Sequence, residues 1–335
     1  MVYSADLERG AIVEASVIVT YRCNAHCHMC NTWQYPTKPA DEIAPVDLGS
    51  LPHMTFTNVT GGEPFLREDL EDVVSVIERK SDRIVISTNG YFTDRVVALA
   101  KRHPKIGFRI SLEGLPRAND ELRGIKDGFD HGLRTLLQLR AMGVKDIGFG
   151  ITASDRNAQD IVELYQLADA MRVEFATAVV HNGFYFHKFD NRIENPGVLI
   201  DEISRLVTLL LRSRRPKNWF RAYFNYGLIN RIEGNGRLLP CGMGRDVFFV
   251  DPFGDVRACN VLDEVMGNLK DTPFQEIWSS NRAAEVRRMA AGCGSDCWMT
   301  GSAVPAMKRE LAKPAMWVLR NKARVMCGLT VDLRP

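Results

Sequence analysis

The sequence predicts an α/β protein whose larger part is an open, partial (β/α)6 barrel. Six short runs of β-branched and apolar residues suit strands that are buried on both faces. These runs are 15–21, 54–60, 83–89, 107–112, 146–152 and 173–180. Amphipathic helical segments alternate with them, at 67–80, 93–102, 129–143, 157–171 and 198–213. Such alternation forms a parallel sheet with right-handed crossovers, and six strands are too few for a closed eight-stranded barrel.

The alternating pattern ends near Pro216. The stretch 237–260, RLLPCGMGRDVFFVDPFGDVRACN, has two strand-like runs around a Pro-Phe-Gly-Asp turn, which predicts a β-hairpin. We therefore divide the chain into five parts. They are an N-terminal segment (1–13), the partial barrel (14–215), a linker helix (216–236), a small hairpin domain (237–300) and a basic helical tail (301–335).

The composition is that of an ordinary globular protein. The 335 residues are 45% hydrophobic and 25% charged, and the net charge of +2 gives no global field for nucleic acid. The N-terminus lacks a secretory signal, and no apolar run reaches the ~18 residues of a membrane-spanning helix. We therefore expect a cytoplasmic protein. In a reducing compartment, its eight cysteines are more often metal ligands or redox groups than disulfides.

Three of these cysteines follow the first predicted strand, in YRCNAHCHMC. Cys23, Cys27 and Cys30 are spaced Cys-x3-Cys-x2-Cys, with His26 and His28 between them. A zinc knuckle, a redox pair and an iron–sulfur cluster all agree with this local pattern. The loop lies at the carboxyl end of a parallel strand, where α/β folds place active sites. If the group is a four-iron cluster, three thiolates leave one iron free to bind a ligand.

The loop after the second strand, TNVTGGEPFLR, carries a second signal. Gly61 and Gly62 allow a sharp bend and a close backbone approach to a ligand. Glu63 places a carboxylate where it can accept hydrogen bonds from an ammonium group, and Pro64 fixes the turn. On its own, such a turn is weak evidence for a ligand site. It becomes specific evidence when it follows the cysteine loop of the preceding strand.

Together these motifs resemble the radical S-adenosylmethionine (SAM) enzymes over about residues 14–215. Four further motifs follow in the family's order, ISTNG (86–90), RISLEG (109–114), LRG (122–124) and GITASDRN (150–157). The resemblance implies a TIM-like partial barrel, a [4Fe–4S] cluster on Cys23, Cys27 and Cys30, and SAM on the fourth iron. It also implies a set of SAM contacts: Met29, Gly61, Gly62, Glu63, Pro64, Asn89, Ser111, Arg123 and Val179, with Val180 as the alternative to Val179.

Two residues depart from the family pattern. Met29 stands where the family often has an aromatic residue against the adenine, and its thioether can make a similar contact. Glu113 replaces the more usual Asp after the fourth strand. The role of Glu113 is left open by the sequence.

The second cysteine group is Cys241, Cys259, Cys293 and Cys297, with Cys327 left over. The group brackets the predicted hairpin and resembles the twitch domain, a shortened SPASM auxiliary-cluster domain. The resemblance implies one auxiliary [4Fe–4S] cluster with all four irons ligated. A structural zinc site is the alternative, since cysteines on a hairpin also suit zinc.

The loop after the sixth strand, HNGFYFHKFDN (181–191), should overhang the barrel mouth. His181, Tyr185 and His187 are candidates to bind substrate or to donate a proton. The alternative is a loop whose aromatic residues pack under the auxiliary domain.

The resemblance implies an oxidoreductase-type enzyme that cleaves SAM reductively to a 5′-deoxyadenosyl radical, which abstracts hydrogen from a substrate. It also implies an electron donor such as flavodoxin or ferredoxin. The auxiliary cluster favours net oxidation, with epimerisation as the alternative. About 14 residues precede the first strand, so we expect no leader-binding domain and favour a small-molecule or carbohydrate-like biosynthetic substrate. A peptide-modifying maturase is the alternative, and a non-catalytic electron-transfer or metal-binding protein is a third interpretation.

The tail segment 307–329 contains six basic residues and one acidic residue beside an apolar cluster. We expect it to dock its apolar side on the domain. Contact with a membrane surface or an acidic partner is the alternative interpretation.

Overall fold

A computed structural model describes residues 14–295 and 297–334. The predicted N-terminal segment 1–13 lies outside these residues. The six predicted strands are all present, in parallel and in sequence order. They are β1 (Glu14–Ile18), β2 (Phe56–Thr60), β3 (Ile84–Thr88), β4 (Gly107–Ser111), β5 (Ile147–Ala153) and β6 (Glu174–Val179). The sheet stays open, with β6 at one edge, which confirms the partial barrel.

Helices cover the outside of this sheet. They are α1 (Leu70–Glu78), α2 (Thr93–Arg102), α3 (Pro116–Arg123), α4 (Gly128–Ala141), α5 (Ile161–Ala170) and α6 (Pro196–Arg212). Five of them were predicted. Helix α3 was missed because its sequence, PRANDELR, has no apolar stripe of helical period. It begins with Pro116 in the first turn and ends where Gly124 adopts a left-handed conformation, with φ of 56°.

The second region begins with helix α7 (Pro216–Ile232) and contains the predicted hairpin. The hairpin strands are β7 (Val247–Val250) and β8 (Asp255–Arg257), and a third strand, β9 (Val265–Asn268), was not predicted. Strand β7 pairs in parallel with β1, so the two regions share one nine-stranded sheet ending at β9. Helices α8 (Phe274–Ser279) and α9 (Asn281–Ala291) follow. The predicted boundaries at 215/216 and 236/237 stay predictions.

The tail forms two helices, α10 (Thr300–Arg309) and α11 (Ala312–Met326). Helix α11 packs on α6 and α7, and the Trp317 ring stacks on Tyr226 with centroids 4.9 Å apart. In the described part of the chain, no helix combines the length and apolarity needed to cross a membrane.

Candidate active site

The loop that carries Cys23, Cys27 and Cys30 is held by the end of helix α3. The amide of His26 donates to the Arg123 carbonyl (2.9 Å), and the amide of His28 donates to the Leu122 carbonyl (2.8 Å). Gly124 lies so close that a Cβ atom there would come within 2.6 Å of the His26 carbonyl oxygen. The Leu-Arg-Gly motif therefore fixes the cysteine loop through its backbone.

The Gly-Gly-Glu turn is joined to the start of the same loop. The amide of Gly62 donates to the Thr20 carbonyl (2.7 Å), and the amide of Glu63 donates to the Arg22 carbonyl (2.8 Å). A Cβ atom on Gly62 would lie 2.3 Å from the Arg22 oxygen, and one on Gly61 would lie 2.6 Å from the Thr20 oxygen. Glycine is therefore required at both positions by the close approach of two backbones.

The Glu63 carboxylate is fully buried and held in place by three donors. One oxygen accepts from the Phe65 amide (3.1 Å) and the Thr88 hydroxyl (2.7 Å), and the other accepts from the Asn89 amide (2.8 Å). Burial raises the pKa of Glu63, and these hydrogen bonds oppose the rise. A carboxylate has about four acceptor positions, so one remains for an ammonium group. Pro64 begins the short 3₁₀ turn that presents the Phe65 amide.

Glu113, whose role the sequence left open, forms a buried ion pair with Arg123. Its carboxylate accepts from the Arg123 guanidinium (2.9 Å) and from the Thr152 amide. Burial opposes the charge on Arg123, but neighbouring Cys27 and Glu113 raise its pKa above the ordinary value. The buried Nε atom of Arg123 has no partner within the described residues. Glu113 thus positions a cation beside the cysteine loop.

The three thiols of the loop form no disulfide. Burial raises the pKa of Cys23 to about 12 and that of Cys27 to about 11. Backbone amides point at two of the sulfurs, from Ala25 to Cys23 Sγ (3.4 Å) and from Thr32 to Cys30 Sγ (3.5 Å). Hydrogen bonds to sulfur are a regular feature of iron–sulfur sites, and thiolates suit iron. The residues therefore fit a cluster with three protein ligands, whose binding would displace the thiol protons.

Across residues 14–295 and 297–334, no three His, Cys, Asp or Glu side chains are arranged to hold a single metal ion. This arrangement is compatible with a cluster, since its thiolates bind different irons. The two histidines of the loop are exposed and have other neighbours. The His26 ring lies against Trp33 (centroids 4.4 Å apart), and His28 Nδ1 lies 3.0 Å from the Arg156 guanidinium.

The other predicted SAM contacts lie at the same end of the sheet. The side-chain amide of Asn89 donates to Asn24 Oδ1 in the cysteine loop (2.8 Å). Met29 is half-buried against the core. Ser111 ends β4 and Val179 ends β6, where Val179 is buried. That these residues contact SAM stays a prediction.

Residues 181–191, called the strap below, lie directly over the cysteine loop. The Asn31 amide donates to the Phe186 carbonyl (2.8 Å), and the Thr32 hydroxyl donates to the Tyr185 carbonyl (3.4 Å). On its other side, the strap binds the second region through the Tyr185 amide, which donates to the Asn260 carbonyl (3.2 Å). The strap therefore contacts both the cysteine loop and the second region, while binding of substrate by His181, Tyr185 and His187 stays a prediction.

Each of the two strap histidines has a ring nitrogen without a partner in the described part of the chain. His181 Nδ1 donates to the Val179 carbonyl (3.2 Å), while its Nε2 is buried with no partner among the described residues. Burial lowers the pKa of His181 to about 4. His187 has a φ of 48°, and its ring stacks on Tyr35 with centroids 4.6 Å apart. Its Nε2 is also buried without a partner in the described region. Both rings can therefore still accept a hydrogen bond.

The second cysteine group comes together around the hairpin. The Cys259 sulfur accepts hydrogen bonds from the Val261 (3.4 Å) and Leu262 (3.3 Å) amides. Burial raises the pKa of Cys297 to about 11, Arg237 opposes this, and Cys241, Cys259 and Cys293 add to it. Four interacting thiols with amide donors fit an iron–sulfur cluster. Cys327 is exposed at the end of α11 and belongs to neither group.

Two family models match the regions that hold these sites. The radical SAM superfamily matches residues 17–168, and the SPASM iron-sulfur cluster-binding domain matches residues 232–298. The chain therefore belongs to the radical SAM superfamily and carries a SPASM domain. It is a radical SAM family enzyme, and its cofactors are SAM and iron–sulfur clusters.

Among curated proteins, the chain is similar to Fe-coproporphyrin III synthase of Methanosarcina barkeri. The two are 25% identical over 84% of this chain and 79% of the relative. It is also 27% identical to the mycofactocin maturase MftC of Mycobacterium tuberculosis, over 83% of this chain and 73% of the relative. Pre-heme d1 synthase of Dinoroseobacter shibae is 25% identical, over 81% of this chain and 74% of the relative.

Solved structures show the same fold. Streptococcus suis SuiB bound to S-adenosylmethionine matches with a TM-score of 0.63 at 14% identity, over 92% of this chain and 77% of that chain. anSMEcpe with bound AdoMet and a peptide matches with a TM-score of 0.60 at 14% identity, over 92% of this chain and 99% of that chain.

Proposed function

We propose that Cys23, Cys27 and Cys30 bind a [4Fe–4S] cluster whose fourth iron holds SAM. When bound, this pair of cofactors supplies a 5′-deoxyadenosyl radical through reductive cleavage of SAM. The free acceptor position of Glu63 receives the SAM ammonium, and the Arg123 cation faces the SAM carboxylate and ribose with Ser111. Met29 and Val179 lie against the adenine, and Asn89 holds the cysteine loop beside it.

The protein's own contribution is to orient the substrate and to exclude water. The strap covers the cysteine loop, and its Tyr185 contacts Gly61 through the hydroxyl and Asn260 of the second region through the backbone amide. We propose that the partnerless Nε2 atoms of the two strap histidines accept hydrogen bonds from the substrate. Either imidazole then receives a proton when the substrate loses one.

We propose that Cys241, Cys259, Cys293 and Cys297 would hold one auxiliary [4Fe–4S] cluster. When bound, it would supply a one-electron acceptor for the substrate radical that hydrogen abstraction leaves. Loss of a hydrogen atom followed by loss of one electron would make the reaction a net two-electron oxidation. The observation that carries this proposal is the strap, because Tyr185 contacts both the cysteine loop and Asn260, next to Cys259. A substrate bound at the strap therefore lies between the two thiol groups. A flavodoxin- or ferredoxin-type protein serves as the electron donor.

We propose a small-molecule substrate and place tetrapyrroles first among the candidates. Two similar relatives, Fe-coproporphyrin III synthase and pre-heme d1 synthase, are named for tetrapyrrole products, and each alignment covers more than four fifths of this chain. No described feature of the strap favours a carbohydrate-like substrate over a tetrapyrrole.

The test uses the full chain, reconstituted anaerobically with iron and sulfide. Incubation with dithionite and SAM should form 5′-deoxyadenosine. Substrates labelled with deuterium should then transfer the label into 5′-deoxyadenosine, beginning with carboxylate-bearing tetrapyrroles. A reconstituted protein that forms no 5′-deoxyadenosine would instead be the non-catalytic electron-transfer protein.

A second candidate function is peptide modification. It is favoured by the similarity to the mycofactocin maturase MftC over 83% of this chain. The same label-transfer assay separates the two classes. Transfer from a labelled peptide, with none from any small molecule tested, would assign the chain to the peptide maturases.

A further inference from the structure

Helix α11 has two apolar faces, and the described residues cover only one of them. Its inner face is buried against α6 and α7. Its opposite face presents a row of exposed apolar residues at alternating spacings of four and three, which we call the outer stripe. The outer stripe consists of Ala312, Met316, Leu319, Ala323 and Met326. Met316, Leu319 and Met326 are 64%, 69% and 69% exposed. One apolar face is enough to dock a surface helix, so the outer stripe needs another explanation.

Basic residues flank the outer stripe on both sides. Lys313, Arg320 and Arg324 lie about a quarter turn from it on one side, given about 100° per residue. Lys313 pairs with Glu310 (3.2 Å) and Arg320 pairs with Asp332 (2.7 Å). On the other side, Lys322 donates to the carbonyls of Leu211 (2.7 Å) and Ser213 (3.3 Å). Lys322 therefore points at the turn between α6 and α7.

That turn carries a second basic group, RSRRPK at 212–217, called the basic corner. Arg212, Arg214, Arg215 and Lys217 are all exposed. Arg215 pairs with Asp169 and Lys217 with Glu174, but Arg212 and Arg214 have no ion pair within the described residues. The outer stripe thus lies between basic side chains on both sides, and among the described residues Arg212, Arg214, Lys322 and Arg324 have no ion pair.

This charge distribution decides which partner fits. If a second copy of the chain covered the outer stripe, the flanking cations of both copies would face each other. An anionic bilayer takes up both features, because apolar side chains enter the acyl boundary while Lys and Arg reach the headgroups. We propose that the outer stripe and the basic corner seat this chain on an anionic lipid surface, with α11 lying in the plane of the interface. This inference is independent of the reaction catalysed.

Vesicle flotation of the full, reconstituted chain tests the proposal. Binding should be strong to phosphatidylcholine vesicles that contain about one third phosphatidylglycerol and weak to pure phosphatidylcholine. High salt should release the protein, because screening weakens attraction between exposed charges. The double variants M316Q/L319Q and R212Q/R214Q should each lower the partition coefficient about tenfold or more. Val46→Gln is the matched control, because Val46 is an apolar side chain with 78% exposure outside this surface, and it should bind like the wild type.

Three results would overturn the proposal. The first is equal binding to the two vesicle types, and the second is equal binding by wild type and both double variants. The third is a concentration-dependent dimer that M316Q/L319Q abolishes, without any vesicle binding by the wild type, which would assign the outer stripe to self-association. The substituted side chains are exposed, so iron content and Tm should match the wild type. Salt release of the wild type tests the proposal without any variant.

Discussion

The Tyr185 hydroxyl donates a 2.7 Å hydrogen bond to the Gly61 carbonyl, joining the strap to the glycine turn of the first cysteine site. The Tyr185 ring also packs with Tyr21 near Cys259. One side chain therefore touches the glycine turn and the edge of the second region.

Tyr185→Phe keeps the ring and removes the hydrogen bonds of the hydroxyl, to the Gly61 carbonyl and to the Thr60 side chain. We expect both iron sites to assemble, with stability lowered by about 1 kcal/mol. A loosened strap positions the substrate less well, so product formed per 5′-deoxyadenosine should fall. Quantifying both products by mass spectrometry tests this. Tyr35→Phe is the control, since its hydroxyl has no hydrogen bond among the described residues. An unchanged ratio in Y185F would remove Tyr185 from the reaction.

The buried pair of Glu113 and Arg123 makes a prediction about stability. Glu113→Gln leaves the Arg123 charge buried without its anion, which costs about 3–5 kcal/mol and should lower Tm by roughly 5–10 °C. Glu121→Gln removes an exposed partner of Arg156, with a side chain 58% exposed, and should cost under about 1 kcal/mol. Thermal unfolding of the two variants side by side decides the matter. Equal losses would contradict the structural role of Glu113.

Iron content tests the two thiol groups. The reconstituted wild type should hold about eight irons per chain, and Cys27→Ala or Cys259→Ala should each leave about four. Cys327→Ala is the matched control and should keep the wild-type content, because Cys327 is exposed at the end of α11. About four irons in the wild type, unchanged in Cys259→Ala, would refute the auxiliary cluster.

The glycine turn predicts a steric effect on SAM binding. In Gly62→Ala, the new methyl group would lie 2.3 Å from the Arg22 carbonyl oxygen, so one of the two loops must move. SAM affinity, measured by anaerobic calorimetry, should fall at least about tenfold. Gly49→Ala adds the same methyl group where no atom lies within 4 Å and should bind SAM normally. Wild-type affinity in Gly62→Ala would show that the turn does not touch the ligand.

His181 predicts a dependence of stability on pH. Burial lowers its pKa to about 4 in the folded chain, whereas an unfolded imidazole titrates near about 6.5. Its contribution to stability is therefore complete above about pH 6.5 and is lost as the pH falls toward 4. The loss amounts to about 2 kcal/mol at pH 5. His181→Asn should flatten the decline in Tm between pH 7 and 5. The exposed control His53→Asn should leave it unchanged, and the same slope in all three proteins would contradict the assignment.

The sequence predicted the strands well because each is a short β-branched run bounded by polar loops. Strand β9 and helix α3 were missed because their sequences lack a clear apolar pattern of this kind. The sequence of β9, VMGN, contains a glycine, which usually indicates a break in a strand. Gly267 nevertheless allows Ile277 to pack closely, because a Cβ atom on Gly267 would lie 2.9 Å from the Ile277 side chain. Glycine is therefore required by the packing of Ile277 against β9, which the sequence of β9 alone does not show.

Contacts within the site were harder to predict because they join distant positions. The cysteine spacing identified the loop, and the family order of motifs selected the residues around it. The hydrogen bond from Tyr185 to Gly61 spans 124 positions, and the pairing of Glu113 with Arg123 depends on the unpredicted helix α3. An acidic residue in the RISLEG motif, ten positions before an arginine that the family uses, was the only sequence signal for that pair.

The parallel pairing of β1 with β7 has an evolutionary consequence. Backbone hydrogen bonds between these two strands help to set the spacing between the two thiol groups. Any sequence of suitable β propensity can form such hydrogen bonds. Side chains on either flank can then be exchanged for a new substrate while that spacing is inherited unchanged. Side chains can therefore change without altering this spacing, which suits a chain whose curated relatives are only about one quarter identical to it.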